Sequence, residues 1–511
     1  MTRAFYDVIV VGTCRASLLC GALLAKRGFR VLHLGHGEPP DSYEVEDMVL
    51  PRAPYTFLAA HSPAARRVLA ELALHQTFRR RATAPDPILQ VVLPGHRVDM
   101  VRDAAALERE VEREFPEVKR PVEDFYRSAL RASAELDGLV ERDVTWPPQS
   151  FLERREFARA AAHQPFDRDG DLPDLLGEFP EEHAFRHIVH GPLRFADGMD
   201  PDHPSQLRIA RLTAAWLRGS ASVDGGDAAF RRMILDRIGA QGGDMRLSDR
   251  ADRILLKRNQ VVGVRLAGSG ETVGASFIVS GTDLTSMLRL LPDRAPFEEL
   301  FERIGEPQLR YFRLTVNVVV AAEGVPVGMA QNVFVVRDPR RRLAGDNLLR
   351  IEVHPPDAQG RRLLCTEVLV PRSAVEDMAG FVEAIRDRVV AALGDVVPFL
   401  ERHVLLVDSP HDGRDIEHRA LGQKAEPPEP WTRGPATMER VHGYPVPSAL
   451  GVCALPVRTP IRRLLMCNGQ VAPGLGQEGE FLAAWSAAKV ISRADRKKER
   501  MRRGLFTKVE I

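Results

Sequence analysis

The sequence predicts an α/β fold, with a buried parallel sheet in one domain and an antiparallel sheet in a second. Three observations carry this. The chain opens on an apolar run, a glycine, a helical pattern and a second apolar run. Near its end another apolar run meets a glycine-rich loop and a helix. Between them, apolar or alternating segments of strand length are separated by Gly, Pro and Asp. At 511 residues the chain exceeds one typical core, which sets two domains as the expectation.

In the opening unit, Val8 to Val11 reads as a fully buried strand that Gly12 ends. A helix follows, with Leu18, Leu19, Ala22, Leu23 and Ala25 on its packing face; Gly28 stops it, and Val31 to Leu34 is the second strand. A strand–turn–helix–strand unit of this size suits a dinucleotide. The Gly-x-Gly-x-x-Gly positions, however, hold Gly12, Cys14 and Ser17, and the ribose-binding acid is replaced by Gly35. Cys14 puts a side chain where a phosphate approaches, although free N–H groups at the helix start still offer an anion site.

With the pair Gly12-Thr13 and the run Val31-Leu32-His33-Leu34, the unit resembles the start of the FAD/NAD(P)-binding flavoprotein superfamily of phytoene desaturases, amine oxidases and Rab GDP-dissociation inhibitors. The resemblance implies a discontinuous Rossmann-like domain over roughly 1–75, 205–290 and 445–511. It implies a mixed α+β substrate domain over 76–204 and 291–444, with a cleft for a long apolar molecule. It also implies that Gly12, Thr13, Cys14, Arg15, Ser17 and Gly35 occupy FAD-contacting positions. The Gly-Gly-Arg or Gly-Gly-Lys turn of flavin-binding relatives does not follow Gly35.

Residues 63–76 read as an amphipathic helix, and Ile88–Leu93 with His96–Met100 as a hairpin across Pro94-Gly95. Asp103 caps the next helix. Residues 127–165 continue helically, broken at Trp146-Pro147-Pro148. There Phe151, Leu152, Phe157 and Ala161 read as ordinary core, with a pocket lining as the alternative. Phe166 to Pro180 is an Asp-, Pro- and Gly-rich loop; Asp167, Asp169, Asp171 and Asp174 with His163 lack calcium-loop order.

Val223-Asp224-Gly225-Gly226 starts a helix over Asp227–Gln241, which Gly242-Gly243 ends. A strand at Met245–Leu247, a hairpin of Arg253–Lys257 with Val261–Leu266, and a strand at Phe277–Ser280 follow. This order resembles the desaturases, and the resemblance puts the backbone of Ala251 against adenine. Tyr311–Val320, Asn332–Arg337, Leu348–His354 and Leu363–Val370 read as an antiparallel sheet. A helix at Val375–Leu393, a strand at His403–Val407 and the Pro-rich Pro427–Trp431 come next.

The last block, Arg462 to Ile491, is strand, glycine loop and helix. It stands where the superfamily has its C-terminal flavin motif. The resemblance places Asn468-Gly469 beside the phosphates and Gly474, Leu475 and Gly476 at the flavin ring, with a helix-capping turn as the structural alternative. Glu478 and Glu480 complement the dipole of the helix that starts there.

Composition is ordinary: 44% hydrophobic, 28% charged, net charge +1. This makes no global case for nucleic acid. Cys14, Cys20, Cys365, Cys453 and Cys467 lack metal spacing and suit a reducing compartment. No metal site, signal peptide or transmembrane run is expected, which points to a cytoplasmic protein. Peripheral membrane contact is open to the basic tail Arg493–Lys508, whose commoner outcome is a solvated helix end.

Two functions follow from the resemblance. One is a phytoene desaturase-like, FAD-dependent oxidoreductase acting on a polyprenyl, carotenoid-like or lipid substrate, with no catalytic side chain identified. The other is a non-redox protein of GDP-dissociation-inhibitor type that has lost flavin. Its partner is an apolar small molecule or a lipidated protein. Cys14, Ser17 and Gly35 favour the second, and the C-terminal glycine loop favours the first.

Overall fold

A central strand, Phe5–Val11, organises the first sheet in a computed structural model that describes residues 5–162, 172–199, 202–378, 380–427 and 432–495. Val8 to Val11 are completely buried because the strand is flanked on both sides and covered on both faces. Leu464–Met466, Thr272–Ser280, Phe5–Val11, Val31–Gly35 and Asp244–Leu256 lie side by side and parallel. Val261–Leu266 runs antiparallel between Asp244–Leu256 and Thr272–Ser280. Helix Arg15–Lys26 packs against helices Gly226–Ala240 and Gln477–Ala494. It buries every residue from Ala16 to Ala25, which is why it is apolar all round rather than striped.

The second sheet has ten strands. Its order is Gln423–Ala425, Ile416–His418, Val404–Asp408, Gln308–Ala321, Arg361–Pro371, Leu348–Val353, Asn332–Val336, Leu89–Leu93 and His96–Met100. Glu439–Gly443 pairs with Gln308–Ala321 as well. Only Leu89–Leu93 beside Asn332–Val336 is parallel. Helices Lys119–Val140, Ala184–Ala196 and Gln206–Gly219 contribute to an aromatic core with Phe115, Phe125, Phe185, Trp216 and Phe334. Helix Phe381–Gly394 packs into a separate core with Val316, Val318 and Ile351. The α/β fold class expected from the sequence is the observed one.

Several elements differ from expectation. The helix over 63–76 is two helices, Pro63–Glu71 and His75–Arg81, parted by Ala73 at φ 54°. The helix expected over Val375–Leu393 is also two, Arg372–Asp377 and Phe381–Gly394, with Gly380 at φ 73° between them. Residues expected as two strands, Met245–Leu247 and Arg253–Lys257, belong, Lys257 excepted, to one strand, Asp244–Leu256. Residues 42–51 form an unanticipated hairpin, Ser42–Val45 with Met48–Pro51. His163, Asp167, Asp169 and Asp171, most of Pro427–Trp431 and most of the basic tail lie outside the described residues. Among the described residues no helix is long and apolar enough to cross a membrane, and no His, Cys, Asp and Glu group has metal-binding geometry.

Two buried histidines give the fold an acid limit. His33 is wholly buried, with Nε2 3.1 Å from the Gly12 carbonyl oxygen, and burial lowers its pKa to about 4. His411 is also buried, with Nδ1 2.9 Å from Thr437 Oγ1, and burial lowers its pKa to about 3. Both folded values lie below the unfolded ones, so the unfolded chain takes up protons first as pH falls. Stability is therefore full above about pH 6.5 and declines below it. Between pH 7.5 and 5.5 each histidine is expected to cost about 1 kcal/mol. Urea unfolding at the two values checks this, and an unchanged midpoint would contradict it.

Candidate functional site

The turn after Phe5–Val11 is where a dinucleotide would meet this fold. Gly12 has φ 95°, and its N–H donates to the Leu34 carbonyl at 3.0 Å. A Cβ there would stand 3.1 Å from the backbone at Gly281 and Thr282, so the turn itself demands glycine. Cys14 occupies the N-cap position but caps nothing with its side chain. Its thiol lies 3.4 Å from both Ser17 Oγ and the Cys467 carbonyl oxygen, tying the N-terminal turn to the C-terminal block. Burial pushes this thiol up to about 11, so it is protonated at neutral pH. The Ser17 hydroxyl lies 3.0 Å from the Gly12 and 2.9 Å from the Cys14 carbonyl oxygens. Ser17 packs on Gly281, where a Cβ would approach it to 2.4 Å. The third fingerprint position therefore accepts a hydroxyl only because its neighbour is glycine.

The cradle around this turn is lined with charge. The Thr13 N–H faces Glu38 Oε1 at 3.4 Å, and the other Glu38 oxygen accepts from the His36 N–H at 3.0 Å. Arg15 donates through Nε to Glu480 at 2.7 Å and through Nη1 to Asp227 at 3.0 Å. Its guanidinium lies 5.5 Å from the centre of the Tyr55 ring. Arg231 reaches Asp227 at 2.9 Å and Asp41 at 3.3 Å, and donates to the Thr13 carbonyl at 2.7 Å. Burial pushes the Asp227 carboxyl up, but Arg15 and Arg231 together hold it below its usual value. Two guanidinium groups thus face three carboxylates, Asp41, Asp227 and Glu480, while Glu38 faces backbone N–H groups of the turn. An added pyrophosphate would meet acids and arginines that are already engaged.

Gly35 closes the strand Val31–Gly35. The ladder to Asp244–Leu256 slips at this point: Leu34 pairs with Arg246, but Gly35 pairs with Arg250. The extra residues arch over the strand end, and a Cβ on Gly35 would stand 2.0 Å from the Leu247 carbonyl oxygen. Ala251 follows the arch; it is buried and lies opposite Leu266.

In the C-terminal block, Asn468 donates to the Thr282 carbonyl at 2.6 Å, and Gly469 has open space at its Cβ position. In the loop Pro473-Gly474-Leu475-Gly476 the first three residues are buried and Gly476 is half-buried. The N–H groups of Gly474, Leu475 and Gly476 donate to the carbonyls of Val452, Ala472 and Pro473. A Cβ on Gly474 would meet Met199 Sδ at 2.9 Å, and one on Gly476 would meet the Ala196 carbonyl oxygen at 2.3 Å. Close chain packing therefore requires these two glycines.

The fold brings Gly12, Thr13, Cys14, Arg15 and Ser17 together with Cys467 and Glu480, while Gly35 and Ala251 sit farther along the Val31–Gly35 edge. Sequence reading missed Glu38, Asp41, Tyr55, Asp227 and Arg231. The i, i+4 pair Asp227–Arg231 is visible in the sequence. Its partners Asp41, Arg15 and Thr13, roughly 200 residues away in the chain, are not.

No family model and no curated protein matches the chain. Solved structures do. An oxidoreductase from Methanosarcina mazei is 14% identical, with 94% of this chain and 99% of that one covered at a TM-score of 0.58. Wild-type putrescine oxidase bound to putrescine is 15% identical, with 96% and 99% covered at 0.57. A Pyrococcus furiosus protein is 13% identical, with 95% and 97% covered at 0.52. At such identities these likenesses establish the fold: over nearly its whole length, this chain is built like known oxidoreductases.

Proposed function

We propose that the chain is a non-redox binding protein built on an oxidoreductase fold, and that it takes an apolar small molecule or a lipidated protein rather than a flavin. One observation carries this: the Leu247 carbonyl lies where the side chain of a ribose-binding acid would start. The residues present do not fit a flavin dinucleotide. Glu38 already faces the N–H of the fingerprint turn, Arg15 is committed to Asp227 and Glu480, and the C-terminal loop uses its own N–H groups internally. A surface groove of about 390 Å³ lies on the second sheet, with Arg337 and Asp395 of its lining paired to each other at 2.7 Å. Val92, Leu93, Val336 and Val396 line it together with Arg337, Arg341 and Asp395.

The second reading is an FAD-dependent, desaturase-like oxidoreductase with a long apolar substrate. Its support is the whole-length fold likeness to oxidoreductases. A binding experiment tests the first reading. A fluorescent geranylgeranyl-cysteine and a fluorescent polyene fatty acid are titrated into the protein. Saturable binding of either at one equivalent is expected. Failure of both to saturate would retire the apolar-ligand claim.

A further inference from the structure

Helix Phe151–Ala161 stands on the surface with its polarity inverted. Its inward face carries Glu153 and Phe157, both buried. Its outward face begins with Phe151, 73% exposed, and Leu152, 66% exposed. Arg154, Arg155, Ala158 and Arg159 continue that face, all exposed. The sequence expectation that Phe151 and Leu152 are core or pocket lining is thereby corrected.

The charges on this helix are sorted by sign. Glu153 accepts two hydrogen bonds from Arg458, at 2.7 and 2.8 Å, and closes a capping box with Ser150. Glu156 pairs with Arg493 at 3.5 Å. Both acids are therefore neutralised. Arg154, Arg155 and Arg159 have no ion-pair partner among the described residues. Every uncompensated charge on the outer face is positive, and it surrounds two large apolar side chains.

The helix is also firmly held. Phe157 meets Trp146 edge-on at 4.9 Å. The Gln149 side chain exchanges two hydrogen bonds with the Arg458 backbone, at 2.7 and 2.9 Å. Phe151 and Leu152 are thus presented by a fixed element, so little ordering entropy opposes their burial elsewhere.

We propose that this helix docks the protein on an anionic lipid bilayer, with Phe151 and Leu152 entering the headgroup–acyl boundary and Arg154, Arg155 and Arg159 pairing with lipid phosphates and carboxylates. An amphipathic helix with basic residues beside its apolar end is suited to that boundary. The assignment does not depend on what the cleft binds.

Flotation with vesicles tests it, using phosphatidylcholine alone and a seven-to-three mixture with phosphatidylserine. The full chain is expected to bind the mixed vesicles, to bind the neutral ones at least about tenfold more weakly, and to release on raising salt. Phe151→Ser with Leu152→Ser is expected to lower partitioning about tenfold or more, and so is neutralising the three arginines to Gln. These positions are exposed, and unchanged circular dichroism confirms that each variant folds. A third variant carries Gln at Arg496, Lys497, Lys498, Arg500, Arg502 and Arg503, and is expected to keep binding. Absence of binding by the full chain would overturn the proposal. So would undiminished binding by the helix variants, or loss of binding in the third variant.

Discussion

Replacing Gly35 by Asp is expected to destabilise the protein by about 3 kcal/mol and to bring no flavin affinity. In a dinucleotide-binding relative, an acid at the end of this strand would add a ribose contact. Here its Cβ would be 2.0 Å from the Leu247 carbonyl oxygen and 3.6 Å from that of Asp249. Both neighbours are backbone, so relief requires moving the arch that the slipped ladder builds over the strand end. Gly35→Ala should be destabilised to a similar degree, because the conflict begins at Cβ and not at the carboxylate. Guanidinium unfolding of the two variants checks the energy. An Asp variant of wild-type stability that retains flavin would show that the arch yields easily.

Replacing Arg211 by Ala is expected to cost about 4 kcal/mol. The guanidinium is 1% exposed and joins separate parts of the chain. It donates to both Glu478 oxygens, at 2.7 and 2.6 Å, and to the Ser133 carbonyl and hydroxyl at 2.9 and 2.7 Å, and it forms an ion pair with Asp137 at 2.7 Å. Glu478 also accepts from Ser62 at 2.5 Å, and Ser62 caps helix Pro63–Glu71. Removing the cation leaves a buried carboxylate with one neutral partner. The double variant Arg211→Met, Glu478→Leu removes the stranded charge and should recover much of the loss. Acid should reproduce the effect in the wild type. Burial pushes the Glu478 carboxyl up, but Arg211 outweighs it and holds the group below its usual value. Its stabilisation is therefore present above about pH 4.5 and lost as pH falls further. Equal stability of Arg211→Ala and the double variant would contradict this account.

The sheet-forming strands were legible where burial shows in the local pattern. Val8–Val11, Val31–Leu34, Tyr311–Val320 and Leu363–Val370 lie within observed strands, and Asn332–Arg337 and Leu348–His354 overrun theirs by one residue each. The helix breaks at Ala73 and Gly380 were not, because a single left-handed residue leaves the surrounding apolar spacing intact. Phe151 and Leu152 misled for a different reason. Glu153 takes the inward position because the backbone N–H groups of Gln149 and Ser150 and the Arg458 guanidinium satisfy its carboxylate, and that reverses the usual inference from polarity. Gly35 reads in sequence as a missing acid. Its close approach to Leu247 depends on a ladder slip between residues more than 200 positions apart, which no local pattern encodes. Likewise, Arg15 and Glu480 are individually visible, but their pairing across the cradle is a property of the fold.

The central claim is that the chain's own residues close the flavin cradle. The visible absorbance spectrum of the purified protein, before and after incubation with excess flavin adenine dinucleotide and desalting, tests it most directly. Cys14→Gly is measured alongside, since it restores the second fingerprint glycine and removes the contacts to Ser17 and Cys467. Both proteins are expected to remain colourless, because Gly35 and the Arg15 network are untouched by the substitution. Flavin bands near about 370 and 450 nm at one equivalent, contributed by the cofactor itself, in the wild type would contradict the claim and make the oxidoreductase reading the working one.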